Sequence, residues 1–223
     1  MTNAQTAPSK ILILTAVAAE KEAVLRGLQG DTRFDVQEAG VGPVEAAIGA
    51  ALALEQAGPG AYQLVISAGI AGGFTGVAPV GSLVVADRLI AADLGAESPD
   101  GFLSLDELGF GTAVVEPEAQ LSAKLAAALN EAGLEVQLGP VLTLSTVTGS
   151  AATAEALAAR IPGAAAEAME GFGIASAAKR FSLPVLELRA ISNPVGPRDR
   201  AAWRIKEALQ SLERASSVLL EVL

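Results

Sequence analysis

The sequence predicts an α/β protein, a three-layer α/β/α sandwich around a mixed, mostly parallel central sheet. Short runs of β-branched and apolar residues alternate along the chain with longer alanine-rich stretches that have the helical period. No linker rich in Ser, Gly or Pro divides the 223 residues, which are enough to bury one sizeable core. We therefore expect a single domain over residues 10–223, preceded by a disordered tail at residues 1–9.

Six strands and six helices follow from this alternation. Runs of apolar and β-branched residues predict strands at 11–15, 36–39, 64–67, 83–86, 141–144 and 185–191. Alanine-rich stretches predict helices at 19–28, 44–56, 118–132, 153–159, 165–181 and 200–222. Residues 95–111 have turn formers at both ends and too few regularly spaced apolar residues for an element, which is typical of a functional surface loop.

The composition excludes several kinds of chemistry. The chain has no histidine and no cysteine, so thiol nucleophiles, disulfides, imidazole bases and the usual zinc sites are absent. Fifteen basic against 25 acidic side chains give a net charge of -10, which disfavours nucleic acid and anionic lipid as partners and favours a small molecule.

The hydropathy pattern predicts a cytoplasmic protein that does not bind a membrane. The longest apolar runs fall well short of the roughly 20 residues that span a bilayer. The first ten residues are polar and carry no apolar signal core.

Four features carry residues suited to a site. Glu20 follows the first strand, a Gly-rich run at 67–81 follows the third, Glu170 lies in AEAMEGFGIA, and Asn193 follows the last strand. Each also has a purely structural explanation: a first-turn carboxylate, tight-turn glycines, an exposed helical carboxylate and a turn former before proline.

The last strand is expected to stop before a loop. Pro194, Gly196 and Pro197 should prevent it from continuing. Ser192 and Asn193 would then lie at the carboxyl end of a strand, where open α/β sheets bind ligands.

Taken together and in this order, these features resemble the family of purine nucleoside phosphorylases and nucleosidases. The most specific pieces are GIAGG at 69–73, AMEG at 168–171 and RAISN at 189–193, and the resemblance covers nearly the whole chain from Lys10. It is strongest to the hydrolytic branch of the family, which contains methylthioadenosine/S-adenosylhomocysteine nucleosidases and futalosine hydrolases.

The resemblance implies a role for each motif. Glu20 would activate the attacking water, Glu170 would hold the ribose 2′- and 3′-hydroxyls, and Met169 would pack under the sugar. Val147 would present backbone groups to the purine, and Trp203 would lie beside the 5′ substituent. Three residues of the Gly-rich run are also expected to bind the substrate: Ile70, Ala71 and Gly72.

The resemblance also implies a homo-oligomer, a dimer or larger, in which residues 95–111 close the active site of a neighbouring chain. It implies no metal and no organic cofactor, and the metal-ligand residue types are not clustered in the sequence. Trp203 with Phe102 or Leu103 would wall the 5′ pocket. Ile70 stands where the methylthioadenosine enzymes have a serine, so their ribose contacts do not carry over there.

Asn193 is the informative departure, because adenine-specific nucleosidases have an aspartate at this position. An amide suits a 6-oxopurine: its NH₂ donates to O6 and its C=O accepts from a protonated N7, whereas a carboxylate would face O6 as a second acceptor. Such a mismatch of polar patterns is worth about 10⁴-fold or more in discrimination. Asn193 is therefore predicted to be catalytic together with Glu20, because it stabilises the departing base.

The expected reaction is hydrolysis of the N-glycosidic bond of futalosine to hypoxanthine and dehypoxanthine futalosine, in the futalosine route to menaquinone. Three alternatives stay open. A methylthioadenosine/S-adenosylhomocysteine nucleosidase is disfavoured only by Asn193 and the loop after it. A 6-oxopurine nucleoside phosphorylase needs a cationic phosphate pocket; residues 69–81 contain no Arg, which leaves Arg26 and Arg88. A noncatalytic nucleoside-binding protein would not need Glu20.

Overall fold

The computed structural model describes residues 9–223, over which ten strands and six α-helices alternate. The strands are β1 (Lys10–Thr15), β2 (Phe34–Glu38), β3 (Tyr62–Gly73), β4 (Leu83–Ala91), β5 (Gly95–Ser98), β6 (Gly101–Ser104), β7 (Val114–Val115), β8 (Val136–Thr143), β9 (Ala166–Ala168) and β10 (Val185–Pro194). The helices are α1 (Ala18–Leu28), α2 (Pro43–Ala57), α3 (Ala119–Glu131), α4 (Ala151–Arg160), α5 (Gly171–Arg180) and α6 (Ile205–Val222). The predicted disordered tail, residues 1–9, lies outside the described residues except for Ser9.

Eight of the strands in the described part of the chain form one mixed sheet. β2, β1, β3 and β10 lie side by side and run parallel, and β8 runs parallel to both β4 and β9. β4 is antiparallel to β10 and β7, and β9 is antiparallel to β3. The predicted α/β class with a mixed, mostly parallel sheet is confirmed.

Five strands of this sheet close into a ring. The order β3, β10, β4, β8, β9 returns to β3 through a short antiparallel pairing that places Glu167 opposite Gly72. A register shift between Ile191 and Asn193 in β10, and a second one in β4, bend the long strands as closure requires. The ends of β3, β9 and β10 therefore meet at one rim.

Helices cover both faces of the sheet. On one face α1, α3 and α6 pack through an apolar cluster that includes Val24, Leu212 and Ile66 of β3. On the other face α2 and α5 pack through a second cluster that includes Ile174 and Val65 of β3. Neighbouring residues of β3 thus enter different clusters, as the alternation of side chains along a strand requires.

Two predicted helices begin at the wrong residue. The predicted helix 165–181 starts instead as strand β9, and α5 begins only at Gly171, because the backbone of 166–168 pairs with β3 and β8. The predicted helix 200–222 is a 3₁₀ helix at Arg200–Ala202 followed by α6. It is interrupted because the Arg204 N–H donates to the Ser192 carbonyl at 2.7 Å.

The predicted end of the last strand is also wrong. β10 continues through Asn193 to Pro194, because β3 extends through the Gly-rich run to Gly73 and supplies it with a partner. Residues 95–111, expected to lack regular structure, begin as the hairpin β5–β6. None of the helices described between residues 9 and 223 is long and apolar enough to cross a membrane.

The start of α2 packs closely against α5 at Gly173. A Cβ atom on Gly173 would lie 2.2 Å from the Pro43 carbonyl oxygen and 3.2 Å from the Ala47 nitrogen. Only glycine allows this close approach of α5 to the first turn of α2.

We expect Gly173→Ala to lower the free energy of unfolding by about 1–3 kcal/mol through overpacking. Alanine is intrinsically better than glycine in a helix by about 1 kcal/mol, so a loss would identify the packing clash as its cause. Urea unfolding monitored by circular dichroism measures this change.

Gly149→Ala is the matched control, because a Cβ there would meet only the Arg198 Cβ, at 4.0 Å. It should leave the unfolding midpoint nearly unchanged. A Gly173→Ala variant as stable as the wild type would contradict the proposed close contact.

Candidate active site

A pocket of about 170 Å³ opens at the rim where β3, β9 and β10 end, beside the start of α1. It brings together nine of the residues predicted for the site from the sequence, but neither Phe102 nor Leu103 lines it. The nine are Glu20, Ile70, Ala71, Gly72, Val147, Met169, Glu170, Asn193 and Trp203. Their individual roles stay predictions, but their arrangement supports chemical arguments for each.

Glu20 occupies the third position of α1, from which its side chain folds back over the start of the helix. One carboxylate oxygen accepts from the Ala16 N–H at 2.9 Å and the Val17 N–H at 3.4 Å. The other accepts from the Ile70 N–H at 2.8 Å. A Glu at the third position of a helix commonly accepts hydrogen bonds from the N–H groups at the start of that helix. This capping role accounts for the location of the Glu20 carboxylate.

Glu20 is only 4% exposed, and its pKa is raised above the ordinary value for a glutamate. Burial is the main cause; the charge of Arg189 and the two backbone hydrogen bonds from Ile70 and Ala16 oppose it, while Glu170 adds to it. A carboxylate with a raised pKa is a stronger base than a solvated one. The solvated first-turn carboxylate considered from the sequence is therefore not what Glu20 is.

Glu170 is the residue immediately before α5, and it does not lie inside the long helix predicted there. One of its oxygens accepts from the Gly42 N–H at 3.2 Å, and the other accepts from Arg189 at 3.4 Å and from the Met169 N–H at 3.3 Å. The carboxylate is buried yet lines the pocket. Its orientation is thus fixed from the turn before α2 and from β10.

Arg189 is a central residue of the site to which the sequence analysis assigned no role. It is 1% exposed, and its guanidinium donates to Glu187 at 2.8 Å, Ser67 at 2.9 Å and Glu170 at 3.4 Å. Burial alone would lower its pKa, but Glu187, Glu170 and Glu20 together raise it. The sequence did contain a signal for this role: Glu187 and Arg189 are two opposite charges in an otherwise apolar strand. Charged side chains are buried in such strands when they pair with each other.

Glu187 lies behind the pocket in the middle of β10. Burial raises its pKa, the charge and hydrogen bond of Arg189 oppose this, and Glu170 adds to it. One of its oxygens has no hydrogen-bond partner among residues 9–223. Three carboxylates, those of Glu20, Glu170 and Glu187, therefore surround one guanidinium.

Asn193 presents an amide of defined orientation to the pocket. Its Oδ1 accepts from the Ser192 hydroxyl at 2.8 Å, and its Nδ2 donates to the Pro194 carbonyl at 3.0 Å. A primary amide has two N–H donors and two acceptor lone pairs, so one of each remains for a ligand. The register shift in β10 turns this side chain toward Gly72.

Trp203 reaches the pocket because the chain between β10 and α6 is folded back. The Arg204 N–H bonds to Ser192, and the Arg198 guanidinium lies 5.5 Å from the Trp203 ring. Phe102 does not line the pocket of its own chain; its ring lies 3.9 Å below the Arg160 guanidinium. Of the apolar walls expected for the 5′ group, this chain supplies Trp203.

Glu167 is a second pocket residue that the sequence analysis missed. It is 7% exposed and accepts from the Thr148 N–H at 2.7 Å and from the Thr148 hydroxyl. Burial raises its pKa and both Thr148 bonds oppose this. A carboxylate in an alanine-rich run assigned to a helix gave no signal, because its location depends on the strand pairing of β9.

The pocket is acidic. Glu20, Glu167 and Glu170 line it, and no Lys or Arg among the described residues does. Arg26 pairs with Glu213 on the surface, and Arg88 is exposed beside Asp87. Neither candidate cation for a phosphate site contributes to the pocket.

Comparisons with known proteins agree with this geometry. Residues 15–223 match the family model described as the phosphorylase superfamily. The chain is 52% identical to a futalosine hydrolase of Streptomyces coelicolor, over 96% of both chains. It is 46% identical to a futalosine hydrolase of Acidothermus cellulolyticus, over 94% of this chain and 90% of that protein.

The fold has a counterpart among solved structures. The structure of a futalosine hydrolase of Helicobacter pylori superposes with a TM-score of 0.82 at 20% identity, and covers 97% of this chain and 99% of that one. Together, the full-length sequence matches and the arrangement of the pocket show that the chain belongs to the phosphorylase superfamily and, within it, to the futalosine hydrolases.

Proposed function

We propose that this enzyme hydrolyses the N-glycosidic bond of futalosine and releases hypoxanthine and dehypoxanthine futalosine. The observation that carries the proposal is a pocket lined by carboxylates and the Asn193 amide, to which no Lys or Arg of residues 9–223 contributes. The names of the relatives from Streptomyces coelicolor and Acidothermus cellulolyticus, both futalosine hydrolases, support the same substrate.

The acidic lining suits the transition state of glycosidic cleavage. The ribosyl group develops positive charge as the base departs, and fixed negative charge in a site of low dielectric stabilises it. Glu20 and Glu170 are held in place by backbone N–H groups and Arg189, so they need little reorganisation during the reaction.

Glu20 acts as the general base for the attacking water. Its raised pKa brings it closer to the pH at which a base is both ionised and effective. Glu170 accepts hydrogen bonds from the ribose 2′- and 3′-hydroxyls, and Met169 packs beneath the sugar. Ile70, Ala71 and Gly72 form the adjoining wall of the pocket.

Asn193 recognises the departing base. Its free N–H donates to O6 of hypoxanthine, and its carbonyl accepts from N7 once that atom is protonated. An amide supplies no proton, so the N7 proton comes from water. Val147 contacts the purine from the loop before α4, and Trp203 packs beside the 5′ substituent.

The alternatives fit less well. A phosphorylase would bring a phosphate dianion among three carboxylates, and Arg189 behind them is already bonded to Glu187, Glu170 and Ser67. Adenine offers an amino group where Asn193 offers its N–H. A noncatalytic nucleoside-binding protein gives no reason to bury Glu20 with a raised pKa.

A homo-oligomer and a cytoplasmic location are further parts of the proposal. Three apolar side chains of α2, those of Val44, Ile48 and Leu52, share one exposed face of the helix. Val41 and Phe110 are exposed as well. Burial of such a face against a second copy of the chain would support an oligomer, and the hairpin of residues 95–111 remains the segment proposed to close the neighbouring site.

Release of free base in phosphate-free buffer tests the reaction. We expect hypoxanthine from futalosine, with adenine release from methylthioadenosine slower by about 100-fold or more. Chromatography separates the bases, and inosine shows how much the 5′ substituent contributes. Phosphate should not change the rate; dependence on phosphate would mean a phosphorylase, and faster release of adenine would overturn the assigned substrate.

Glu20→Gln is expected to lower kcat for futalosine by about 10²–10⁴-fold, because the amide cannot accept a proton from water. In the wild type, kcat/KM should fall as the pH drops through an inflection above 4.5, since Glu20 must be ionised and its pKa is raised. Initial rates between pH 4.5 and 8, with return to pH 7.5 to check for unfolding, give this profile.

Glu22→Gln is the matched control, since Glu22 lies on the same helix and is exposed. It should keep both the rate and the inflection. Full activity of Glu20→Gln would instead remove Glu20 as the base.

Asn193→Asp should reduce kcat/KM for futalosine relative to methylthioadenosine by about 100-fold or more, because an acceptor replaces the N–H that faces O6. The new oxygen would also lie next to the Pro194 carbonyl that now accepts from Nδ2. The ratio of the two kcat/KM values is the measurement. An unchanged ratio would show that position 193 does not set base preference.

A further inference from the structure

Glu167 is a buried carboxylate at the pocket that the reaction described above does not use. It belongs to β9, the short strand that lies between β8 and β3 in the ring. Because Ala166 and Ala168 pack into the cluster beneath α2 and α5, the side chain between them points to the opposite face of the sheet.

Strand register places Glu167 on the same line across the sheet as Asn193. Asn193 lies opposite Gly72 in the pairing of β10 with β3, and Gly72 lies opposite Glu167 in the pairing of β3 with β9. Residues opposite one another on paired strands project from the same face. The two polar side chains are therefore two strand spacings apart, about 10 Å between Cα atoms.

The residue between them has no side chain, and the Asn193 amide packs against it. A Cβ atom on Gly72 would lie 3.2 Å from Asn193 Nδ2 and 3.0 Å from Val195 Cγ2, so a larger residue would displace the amide. Gly72, Asn193 and Glu167 all line the pocket. A flat base in the pocket would thus have an amide on one side and a carboxylate on the other.

The carboxylate of Glu167 has unused acceptor capacity. Its two oxygens offer about four lone-pair positions, and Thr148 occupies two of them. Within residues 9–223 it forms no salt bridge. Its pKa is raised by burial despite the Thr148 bonds, so these bonds do not fully offset the loss of solvent. A donor from a ligand would complete the site.

We propose that Glu167 is a specificity-determining residue that accepts a hydrogen bond from N1–H of a 6-oxopurine base while Asn193 binds the O6 and N7 edge. The inference rests on the proposed function for the identity of the base. Hypoxanthine carries a proton on N1, whereas N1 of adenine is an acceptor. Adenine would therefore leave the Glu167 carboxylate facing a second acceptor, in addition to the mismatch at Asn193.

Binding of free bases tests this assignment without requiring turnover. In Glu167→Gln, a neutral amide with one acceptor oxygen replaces the charged carboxylate, and the Thr148 N–H competes with the base for that oxygen. We expect the ratio of hypoxanthine affinity to adenine affinity, measured by calorimetry, to fall by about 10-fold or more, the loss typical of a hydrogen bond to a charged group.

Two controls separate recognition from structural support. Glu155→Gln removes an exposed carboxylate from α4 and should leave the ratio unchanged. Thr148→Val removes the hydroxyl donor to Glu167 but keeps the carboxylate and the Thr148 N–H, so it should preserve most of the ratio. If Glu167→Gln instead weakened both bases equally, Glu167 would only support the Val147 loop and the inference would be wrong.

The wild type supplies a test that does not depend on folding of the variant. It should bind hypoxanthine at least about 10-fold more tightly than 1-methylhypoxanthine, which has no N1–H; equal affinity would overturn the assignment. A wild type that releases hypoxanthine from futalosine while the Glu167→Gln ratio stays unchanged would refute only the role of Glu167. A wild type inactive on futalosine would refute the proposed function, and the base ratios would still decide the role of Glu167.

Discussion

The buried guanidinium of Arg189 is the interaction on which the rest of the site depends. It joins β10 to β3 through Ser67 and holds Glu170 at the start of α5. Its positive charge also offsets the cost of burying the carboxylates of Glu187 and Glu20. Removing one partner of such a buried network typically costs about 3–5 kcal/mol, because the remaining charges have no compensation. The geometry of the pocket around Glu170 is therefore inseparable from the packing of the sheet.

The two ends of the pocket use opposite physical strategies. Around Arg189, buried charge is concentrated, and in the proposed reaction it would stabilise the positive charge that develops on the sugar. Around Asn193 and Glu167, hydrogen-bonding groups are held in fixed positions, and in the proposed recognition the wrong base would leave some of them unpaired. β3 contributes to both ends of the pocket. Its Gly72 lies between Asn193 and Glu167, and two residues earlier the backbone N–H of Ile70 donates to Glu20.

Much of the site was predictable because it depends on local chemistry at strand ends. Glu20 follows a strand and caps a helix, and Asn193 sits in a short motif, so a linear pattern identifies both. Glu170 was placed in the pocket but in the wrong element, because alanine-rich composition favours a helix, whereas β9 exists only through pairing with β3 and β8. Glu167 was missed for the same reason, and Arg189 because its importance comes from partners distant in the sequence.

The ring of strands also bears on the order in which the chain folds. β10 lies between β3 and β4, yet it follows β3 by roughly 110 residues, whereas only residues 74–82 separate β3 from β4. During synthesis, the first two-thirds of the chain would leave the edges of β3 and β4 unpaired, a state prone to association with other chains. Because β10 carries both Arg189 and Asn193, the strand that closes the fold is also the one that completes the active site. Until β10 pairs with β3 and β4, the pocket therefore lacks both the Asn193 amide and the guanidinium that holds Glu170.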